Sequence, residues 1–366
     1  MKIGILTYHR AYNYGAALLC YALKEVLREM GHDARVIDYR QPDIERFYAF
    51  KLSFTRAKAR KLSLPKAAAL LLLAPLRDLK HGLIHRRMKH IFERFQRERM
   101  DLTPACTDRI PQDFDCYVIG SDMLWSYDTA SDAFEPVYLG EFPHKPGARI
   151  VGYAISGTPR SFRRLGEERK FDFCANFDAL SIREKSLADI VSAYTGKPVS
   201  CCIDPTLLTT KETWADFSRP KWQHRKYLVT YFLRAAGPWR KALEARLADL
   251  AQTEGLEIVD IDVSGRKAPL DVEDFISVIR EARYVVTDSF HGVVFSLIFE
   301  RPFHALALHD SYDDRYVDIL RALGADDLAV DLAYTPSIPQ IDYPALNERI
   351  RQFRSGSLEF LRQNLK

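Results

Sequence analysis

The sequence has little of what marks several protein classes. Cysteine is scarce, with six residues among 366 and no Cys-x-x-Cys pair. We therefore expect neither a metal site nor a disulfide framework, and we expect the cysteines to be reduced thiols in the core. The longest apolar stretch, residues 67–74, is stopped by Pro75 and is too short to span a bilayer. The N-terminal apolar run is too short for a signal peptide. We therefore expect a cytoplasmic protein, with peripheral contact to the inner membrane surface as an open alternative.

Glycine-rich phosphate loops are also missing. No Gly-x-Gly-x-x-Gly follows the first predicted strand, Lys2–Thr7, and no Gly-x-x-x-x-Gly-Lys-Ser/Thr occurs anywhere. Dinucleotide binding and P-loop chemistry are therefore disfavoured. The absence of a Gly-x-Ser-x-Gly elbow likewise weakens a hydrolase interpretation of the run Asp288-Ser289-Phe290-His291.

Net charge is small, at +4, but it is unevenly distributed. Residues 51–100 contain 14 basic and 3 acidic residues, whereas the rest of the chain is net negative. The favoured interpretation is a helical subdomain with a solvated basic face. The alternative is a surface that rests on anionic lipid and brings the protein close to a lipid-linked glycan.

Short apolar β-rich runs alternate with helical runs along most of the chain. The hydrophobic fraction, 47%, is typical of a globular protein. The alternation occurs as two series joined near residue 210, which predicts an α/β protein of two Rossmann-like domains facing a cleft. We assign residues 1–208 to the N-terminal domain, with a basic helical insertion at 41–110, residues 209–342 to the C-terminal domain, and residues 343–366 to a C-terminal helix.

Polar loops follow the predicted strands, where ligands of open α/β sheets bind. These loops supply the candidate ligand-binding residues Asn13, Tyr14, Gly15, Ser121, Asp122, Trp125, Ser156, Arg183, Ser289, Phe290, His291 and Gly292. His291 is predicted at a helix N-terminus, where the dipole favours a bound anion and the imidazole can act as acid or base. A capping turn with a polar histidine is the plainer alternative.

Two further loops carry groups suited to an anionic or sugar substrate. Arg183 follows a strand directly, so its guanidinium is placed to bind a carboxylate or phosphate, although an exposed helix start is the commoner role for such a residue. Asp122 is a candidate to orient or deprotonate a sugar hydroxyl. Trp125 is a candidate to stack on a sugar, or equally a core residue.

These loops together resemble the polysaccharide pyruvyl transferase family. The resemblance rests on an ordered set of motifs that spans nearly the whole chain outside the basic segment: TYHRAYNYGAALLCYAL, VIGSDMLW, GYAISG, LSIREKS, CIDPTLL and YVVTDSFHGVVFSLIFERPF. It implies a glycosyltransferase-B-like arrangement of the two domains around a central cleft. It also implies transfer of pyruvate from phosphoenolpyruvate onto two hydroxyls of a sugar, which forms a cyclic ketal and releases phosphate, as in capsule or exopolysaccharide synthesis.

The resemblance also suggests roles for particular residues. His291 matches the family histidine and Arg183 the family arginine, with Ser289 and Phe290 beside them and Arg315 as the nearest match for a later basic residue. It implies no cofactor beyond phosphoenolpyruvate as co-substrate, and a glycan acceptor, lipid-linked or free. Two alternatives remain open: a nucleotide-sugar glycosyltransferase of the same fold, and a non-catalytic protein whose basic segment binds membrane or polyanions. No nucleic-acid motif is present.

Overall fold

The computed structural model describes residues 1–48, 74–127, 133–217, 219–234, 237–263, 267–310 and 312–366, with the backbone alone at 74–81 and 238. The first half of the chain forms a six-stranded sheet, all parallel, in the order β2-β1-β3-β4-β5-β6. Its strands are β1 Lys2–Leu6, β2 Asp33–Val36, β3 Cys116–Gly120, β4 Arg149–Ile155, β5 Ala179–Ile182 and β6 Ser200–Cys201.

The second half forms a five-stranded parallel sheet in the order β11-β10-β9-β7-β8. Its strands are β7 Tyr227–Tyr231, β8 Glu257–Asp260, β9 Tyr284–Thr287, β10 Phe303–Leu306 and β11 Ala329–Val330. Every residue of β3, β7, β9 and β10 is buried. Continuous apolar runs of this kind suit strands that are covered by helices on both faces.

Helices flank both sheets. Those of the first half are α1 Tyr14–Glu29, α2 Pro42–Tyr48, α3 Ala74–Arg99, α4 Pro159–Arg169, α5 Lys185–Thr195 and α6 Pro205–Leu208. Those of the second half are α7 Pro238–Glu254, α8 Val272–Arg280, α9 Phe290–Ile298, α10 Asp314–Ala322 and α11 Tyr343–Asn364. Short 3₁₀ helices lie at Pro136–Leu139, Asp172–Asn176, Ala215–Phe217, Pro220–Trp222 and Asp326–Leu328.

Two helices tie the halves together. The last helix, α11, returns to the first half, where Ser357 accepts a hydrogen bond from the backbone N–H of Ile203 at 3.0 Å and Arg354 donates to the carbonyl of Leu207 at 2.8 Å. Arg94 on α3 pairs with Glu273 of α8 at 2.9 Å. These contacts fix the position of one sheet relative to the other.

The predicted fold class is confirmed: two Rossmann-like α/β halves face each other across a cleft in a glycosyltransferase-B-like arrangement. Of the predicted basic insertion at 41–110, residues 42–48 and 74–99 are helical, and residues 49–73 lie outside the described residues. No helix in the described ranges is both long enough and apolar enough to cross a bilayer.

Candidate active site in the interdomain cleft

The loop between β9 and α9 places His291 in the cleft. Ser289 caps α9, its hydroxyl accepting the Gly292 N–H at 3.4 Å, so His291 lies in the first turn as predicted. Asp288 does not cap the helix. Its carboxylate instead accepts the backbone N–H groups of Leu233 at 2.6 Å and Arg234 at 3.2 Å, which fixes the loop after β7 beside α9.

The His291 imidazole is almost fully enclosed, with 10% of its side chain exposed. Its Nε2 has no hydrogen-bond partner in the described structure and lies 3.8 Å from Oδ1 of Asp204. Burial lowers the pKa of His291 to about 4; Asp204 opposes this shift, whereas Arg183 and Arg315 add to it. With no ligand bound, the imidazole is therefore neutral at pH 7.

Gly15 makes room for this imidazole from the opposite half. A Cβ atom added to Gly15 would lie 2.0 Å from Nδ1 of His291, far inside van der Waals contact. Gly15 stands in the first turn of α1, which Asn13 caps by accepting the Ala16 N–H at 3.2 Å. The loop after β1 and the loop after β9 thus meet at the imidazole, and a side chain at position 15 would displace it.

Arg183 lies beside His291, and each nitrogen of its guanidinium already donates one hydrogen bond within the protein. The guanidinium donates through Nε to Glu184 at 2.8 Å, through Nη1 to Asp204 at 2.9 Å and through Nη2 to Ser156 at 2.8 Å. Its charge also lies 4.1 Å from the centre of the Phe290 ring. Burial disfavours the charge, but Glu184 and Asp204 outweigh burial and raise the pKa of Arg183 above its usual value. Arg183 is therefore always charged, and it fixes the positions of Glu184, Asp204 and Ser156 around the site.

Asp204 connects Arg183 and His291, two of the three residues predicted to be catalytic, and was not itself predicted as a site residue. It is fully buried and caps α6, accepting the backbone N–H of Thr206 at 3.0 Å and its hydroxyl at 2.7 Å. Burial alone would raise the pKa of Asp204, but His291, Arg183 and the Thr206 bonds lower it. The signal in the sequence was Asp-Pro after a strand, which is typical of a helix N-cap followed by proline at the first helical position.

A cavity of about 300 Å³ opens in the cleft in front of His291. Its lining includes Asn13, Asp122, Ser289, Phe290, His291 and Arg315 among the predicted residues, together with Arg234 and Asp288, which were not predicted. Asp122 stands in the left-handed region, with φ of 78°, and burial raises the pKa of its carboxyl group. Sequence order could have indicated Arg234, because it follows β7 as Arg183 follows β5.

Two arginines face this cavity and differ in their partners. Arg234 pairs with Asp313 at 2.6 Å and with Asp310 at 3.4 Å. Arg315 makes no ion pair with a carboxylate in the described part of the chain; its Nε donates to the carbonyl of Tyr312 at 3.2 Å. Burial and the nearby Arg183 charge lower the pKa of Arg315. The charges of Glu184 and Asp122 oppose this shift, but neither carboxylate pairs with the guanidinium in the described structure, so a bound anion would be its first direct partner.

The structure places several predicted residues away from the cavity. Trp125 is fully buried, packs edge-on against Phe173 and donates its indole N–H to the carbonyl of Tyr138 at 2.9 Å. Its ring is therefore enclosed by core side chains instead of facing a sugar. Tyr14 is also buried: it stacks on Phe275 at 4.5 Å and donates to the carbonyl of Leu270 at 2.8 Å, which joins the two halves.

The remaining predicted residues shape the backbone around the site. Ser121 is buried and donates to the carbonyl of Ala154 at 2.7 Å. Ser156 donates to Glu184 at 2.8 Å and so belongs to the network around Arg183. Gly292 packs against the Thr287 hydroxyl, and a Cβ atom added to Gly292 would lie 2.3 Å from the Thr287 Oγ1. These three positions hold the loops in place and do not line the cavity.

Comparison with solved structures finds distant likenesses over nearly the whole chain. A protein assigned as a UDP-N-acetylglucosamine 2-epimerase from Listeria monocytogenes is 12% identical, with a TM-score of 0.49, 99% of this chain covered and 90% of that one. UDP-GlcNAc 2-epimerase from Neisseria meningitidis is 9% identical, with a TM-score of 0.46 and coverage of 98% and 92%. The E. coli ADP-heptose heptosyltransferase II is 13% identical, with a TM-score of 0.36 and coverage of 97% and 99%. These likenesses are too remote to inform function.

Comparison at the level of sequence is more informative. No curated protein matches the chain. The family model described as polysaccharide pyruvyl transferase matches residues 13–310, a span that runs from the loop after β1 to the loop after β10 and contains the residues that line the cleft cavity except Tyr8, Ala11, Tyr312 and Arg315. Since this match covers most of the sequence, the chain belongs to the polysaccharide pyruvyl transferase family.

Proposed function

We propose that this protein transfers pyruvate from phosphoenolpyruvate onto two hydroxyls of a sugar in a polysaccharide or lipid-linked oligosaccharide. The observation that carries the proposal concerns the described residues of one cavity, where Arg315 has no carboxylate partner and the buried His291 has an Nε2 without a hydrogen-bond partner. Phosphoenolpyruvate carries a phosphate and a carboxylate next to a carbon that must be protonated. The cavity offers a group for each need.

The donor is held by charge and by the α9 helix terminus. Arg315 supplies a guanidinium that pairs with no carboxylate in the described residues, and Arg234 adds a second guanidinium, which is already paired with Asp310 and Asp313. The backbone N–H groups at the start of α9 and the helix dipole favour the same negative charge. Arg183 acts indirectly in this scheme, by fixing Asp204 and Phe290.

The transfer removes a proton from each of two sugar hydroxyls and forms two new carbon–oxygen bonds. A proton adds to the methylene carbon of phosphoenolpyruvate, which becomes the methyl group and leaves C2 electrophilic. One sugar hydroxyl attacks C2 and gives up its proton; the C2–O bond to phosphate then breaks, and phosphate leaves with the bonding electrons. The second hydroxyl closes the ketal ring and gives up its proton. One hydrogen ends on carbon and one on phosphate, so the exchange balances.

His291 is the group that we assign to protonation of the methylene carbon. Its pKa of about 4 describes the site with no ligand bound. A bound anion with three negative charges attracts the imidazolium form. Binding of phosphoenolpyruvate therefore raises the pKa of His291 and favours its protonated form, which is the acid that the reaction needs. Positioned proton transfer of this kind contributes roughly 10²–10⁴-fold to a rate.

Asp122 is the group that we assign to the acceptor. It lines the same cavity from the first half of the chain, and burial raises its pKa, which makes it a better proton acceptor than an ordinary aspartate. It is therefore placed to take the proton of the attacking hydroxyl. No step in this scheme needs a metal ion or a nicotinamide.

Two measurements test the proposal. Isothermal titration with phosphoenolpyruvate should show binding to the full chain that weakens at least tenfold in Arg315→Gln, whereas Arg362→Gln, on the exposed face of α11, should match the wild type. Phosphate release with a panel of oligosaccharides should then fall at least 100-fold in His291→Gln. No binding of phosphoenolpyruvate at millimolar concentration, or full activity in His291→Gln, would contradict the proposal.

A further inference from the structure

Helix α2 separates the cleft cavity from a second one. The second cavity has a volume of about 450 Å³ and lies between the loop after β1, helix α2 and helix α3. Ile44 and Tyr48 of α2 line both cavities. A ligand that passes over α2 can therefore occupy the cleft with one part and the second cavity, called the basic cavity below, with another.

Phe47 marks the cleft side of this path. It is 55% exposed, one of few large apolar side chains in the described structure with that much exposure, and it lines the cleft cavity. An exposed aromatic face at a cavity wall offers flat apolar area to a ligand and costs the folded protein hydrophobic burial. Trp125, the aromatic residue predicted to stack on a sugar, is enclosed in the core, whereas Phe47 is exposed at the cavity wall.

Cations outnumber carboxylates around the basic cavity. Its lining includes Arg10, Arg40, Arg86 and Lys89 against Glu45 and Glu93. Three different segments of the chain supply these cations, so their gathering around one cavity is a product of the fold and not of one charged run.

The partners of these cations decide which are available. Arg10 is neutralised by Asp38, because the Nε of Arg10 lies 2.7 Å from the Oδ1 of Asp38. Arg40 is nearly half exposed, and its nearest carboxylate oxygen, on Asp38, is 3.9 Å away. Arg86 is exposed and pairs with no acid in the described structure, and Lys89 lies 3.7 Å from Glu93. Arg86, which has no acidic partner in the described structure, and Arg40, whose contact with Asp38 is the longest of these pairs, are thus the guanidinium groups most available to an anion.

We propose that the basic cavity binds a phosphate or diphosphate group that is joined to the acceptor sugar, while the sugar itself lies on Phe47 in the cleft. Guanidinium groups match phosphate oxygens in a bidentate geometry. The volume of the cavity exceeds what a single small anion fills, which suits a diphosphate with part of its substituent. The assignment of the sugar to the cleft rests on the proposed function; the anion site does not.

The first test measures binding of inorganic pyrophosphate to the full chain by isothermal titration at low ionic strength, since salt screens exposed charges. Saturating phosphoenolpyruvate is included so that the cleft is occupied. The double variant Arg40→Gln/Arg86→Gln should raise the Kd for pyrophosphate at least tenfold. Arg87→Gln, an exposed neighbour on α3 that does not line the cavity, should leave it unchanged. Equal Kd values in wild type and double variant, or no binding to the wild type at millimolar concentration, overturn the inference.

Two further probes identify what the phosphate is attached to. Farnesyl diphosphate that binds more tightly than pyrophosphate supports a lipid-linked acceptor, and uridine diphosphate that does so supports a nucleotide-linked one. In either case the double variant must lose the binding. If a probe binds to the double variant as tightly as to the wild type, the assignment to this cavity is overturned.

The two proposals fail in different ways. If phosphoenolpyruvate does not bind, the proposed function fails, and the pyrophosphate ratio between wild type and double variant still reports on the basic cavity. If phosphoenolpyruvate binds normally to all variants and that ratio is one, only the inference about the acceptor fails.

Discussion

Replacing Asp204 with asparagine tests how the buried charges of the site depend on one another. The substitution keeps the shape of the side chain, and its amide oxygen still accepts the two Thr206 bonds. It removes the negative charge that lies 3.8 Å from Nε2 of His291 and 2.9 Å from Nη1 of Arg183. The amide nitrogen of the asparagine also places its N–H groups against the N–H groups of the Arg183 guanidinium.

The expected shift in the pKa of His291 follows from the distance between its imidazole and the Asp204 carboxylate. At 3.8 Å and an effective dielectric constant of about 20, the Asp204–His291 attraction is about 4 kcal/mol, an upper limit of about three pH units on the pKa of His291. Because this attraction favours the imidazolium, its loss lowers the pKa. Breaking the buried pair with Arg183 costs about 3–5 kcal/mol of folding free energy, reduced here because Glu184 still pairs with the arginine.

The assay is the pH dependence of kcat at saturating phosphoenolpyruvate. Activity that needs the imidazolium declines as pH rises through the pKa of His291, so the alkaline limb should move by one unit or more toward lower pH in Asp204→Asn, with a fall in rate at pH 7. Thr206→Val is the control, since it removes a hydrogen bond to Asp204 but leaves the charge and should leave the limb in place. A folded Asp204→Asn protein with the wild-type limb would refute this account of how His291 is tuned.

Three other outcomes are expected. Gly15→Ala should lower kcat about 100-fold, because the added Cβ displaces the His291 imidazole, while Gly356→Ala, which has open space around it on α11, should leave kcat unchanged. Binding of phosphoenolpyruvate should take up a proton between pH 5 and 7, measured by titration calorimetry in buffers of different ionisation enthalpy, and His291→Gln should lose the part of this uptake that does not belong to the phosphate itself. The free energy of unfolding of the ligand-free protein, measured with urea, should fall by roughly 3 kcal/mol from pH 7 to pH 4, because the folded-state pKa of His291 is depressed from 6.5 to about 4 and the unfolded chain takes up the proton first. In His291→Gln this loss should be smaller; an equal loss would mean that other groups cause it.

Much of the fold was predictable because parallel strands buried on both faces leave a strong trace. The apolar runs of β3 and β9 and the polar loops that follow them located the cleft edge, and the capping serine before Phe290 located α9. These signals are local in sequence, which is why they survive without knowledge of the packing. The position of His291 in the first turn of α9 was predictable for the same reason.

What was missed depends on contacts between distant segments. Asp204 reaches Arg183 and His291 only once three loops have folded together, and Phe47 becomes a cavity wall only because α2 lies against the cleft. Trp125 was indistinguishable in sequence from a sugar-stacking residue, since an apolar aromatic after a strand suits either role, and the surrounding phenylalanines decide for the core. Gly15 gave no sign of the imidazole that occupies the space beside it.

The most direct test of pyruvyl transfer follows the methylene carbon. The protein is incubated in deuterated water with phosphoenolpyruvate and an acceptor glycan, and the product is examined by mass spectrometry and NMR. The account predicts a cyclic ketal whose methyl group carries one solvent-derived deuterium, formed together with one phosphate and greatly diminished in His291→Gln. A product that keeps a vinyl methylene group, or a ketal formed equally well by His291→Gln, would contradict it.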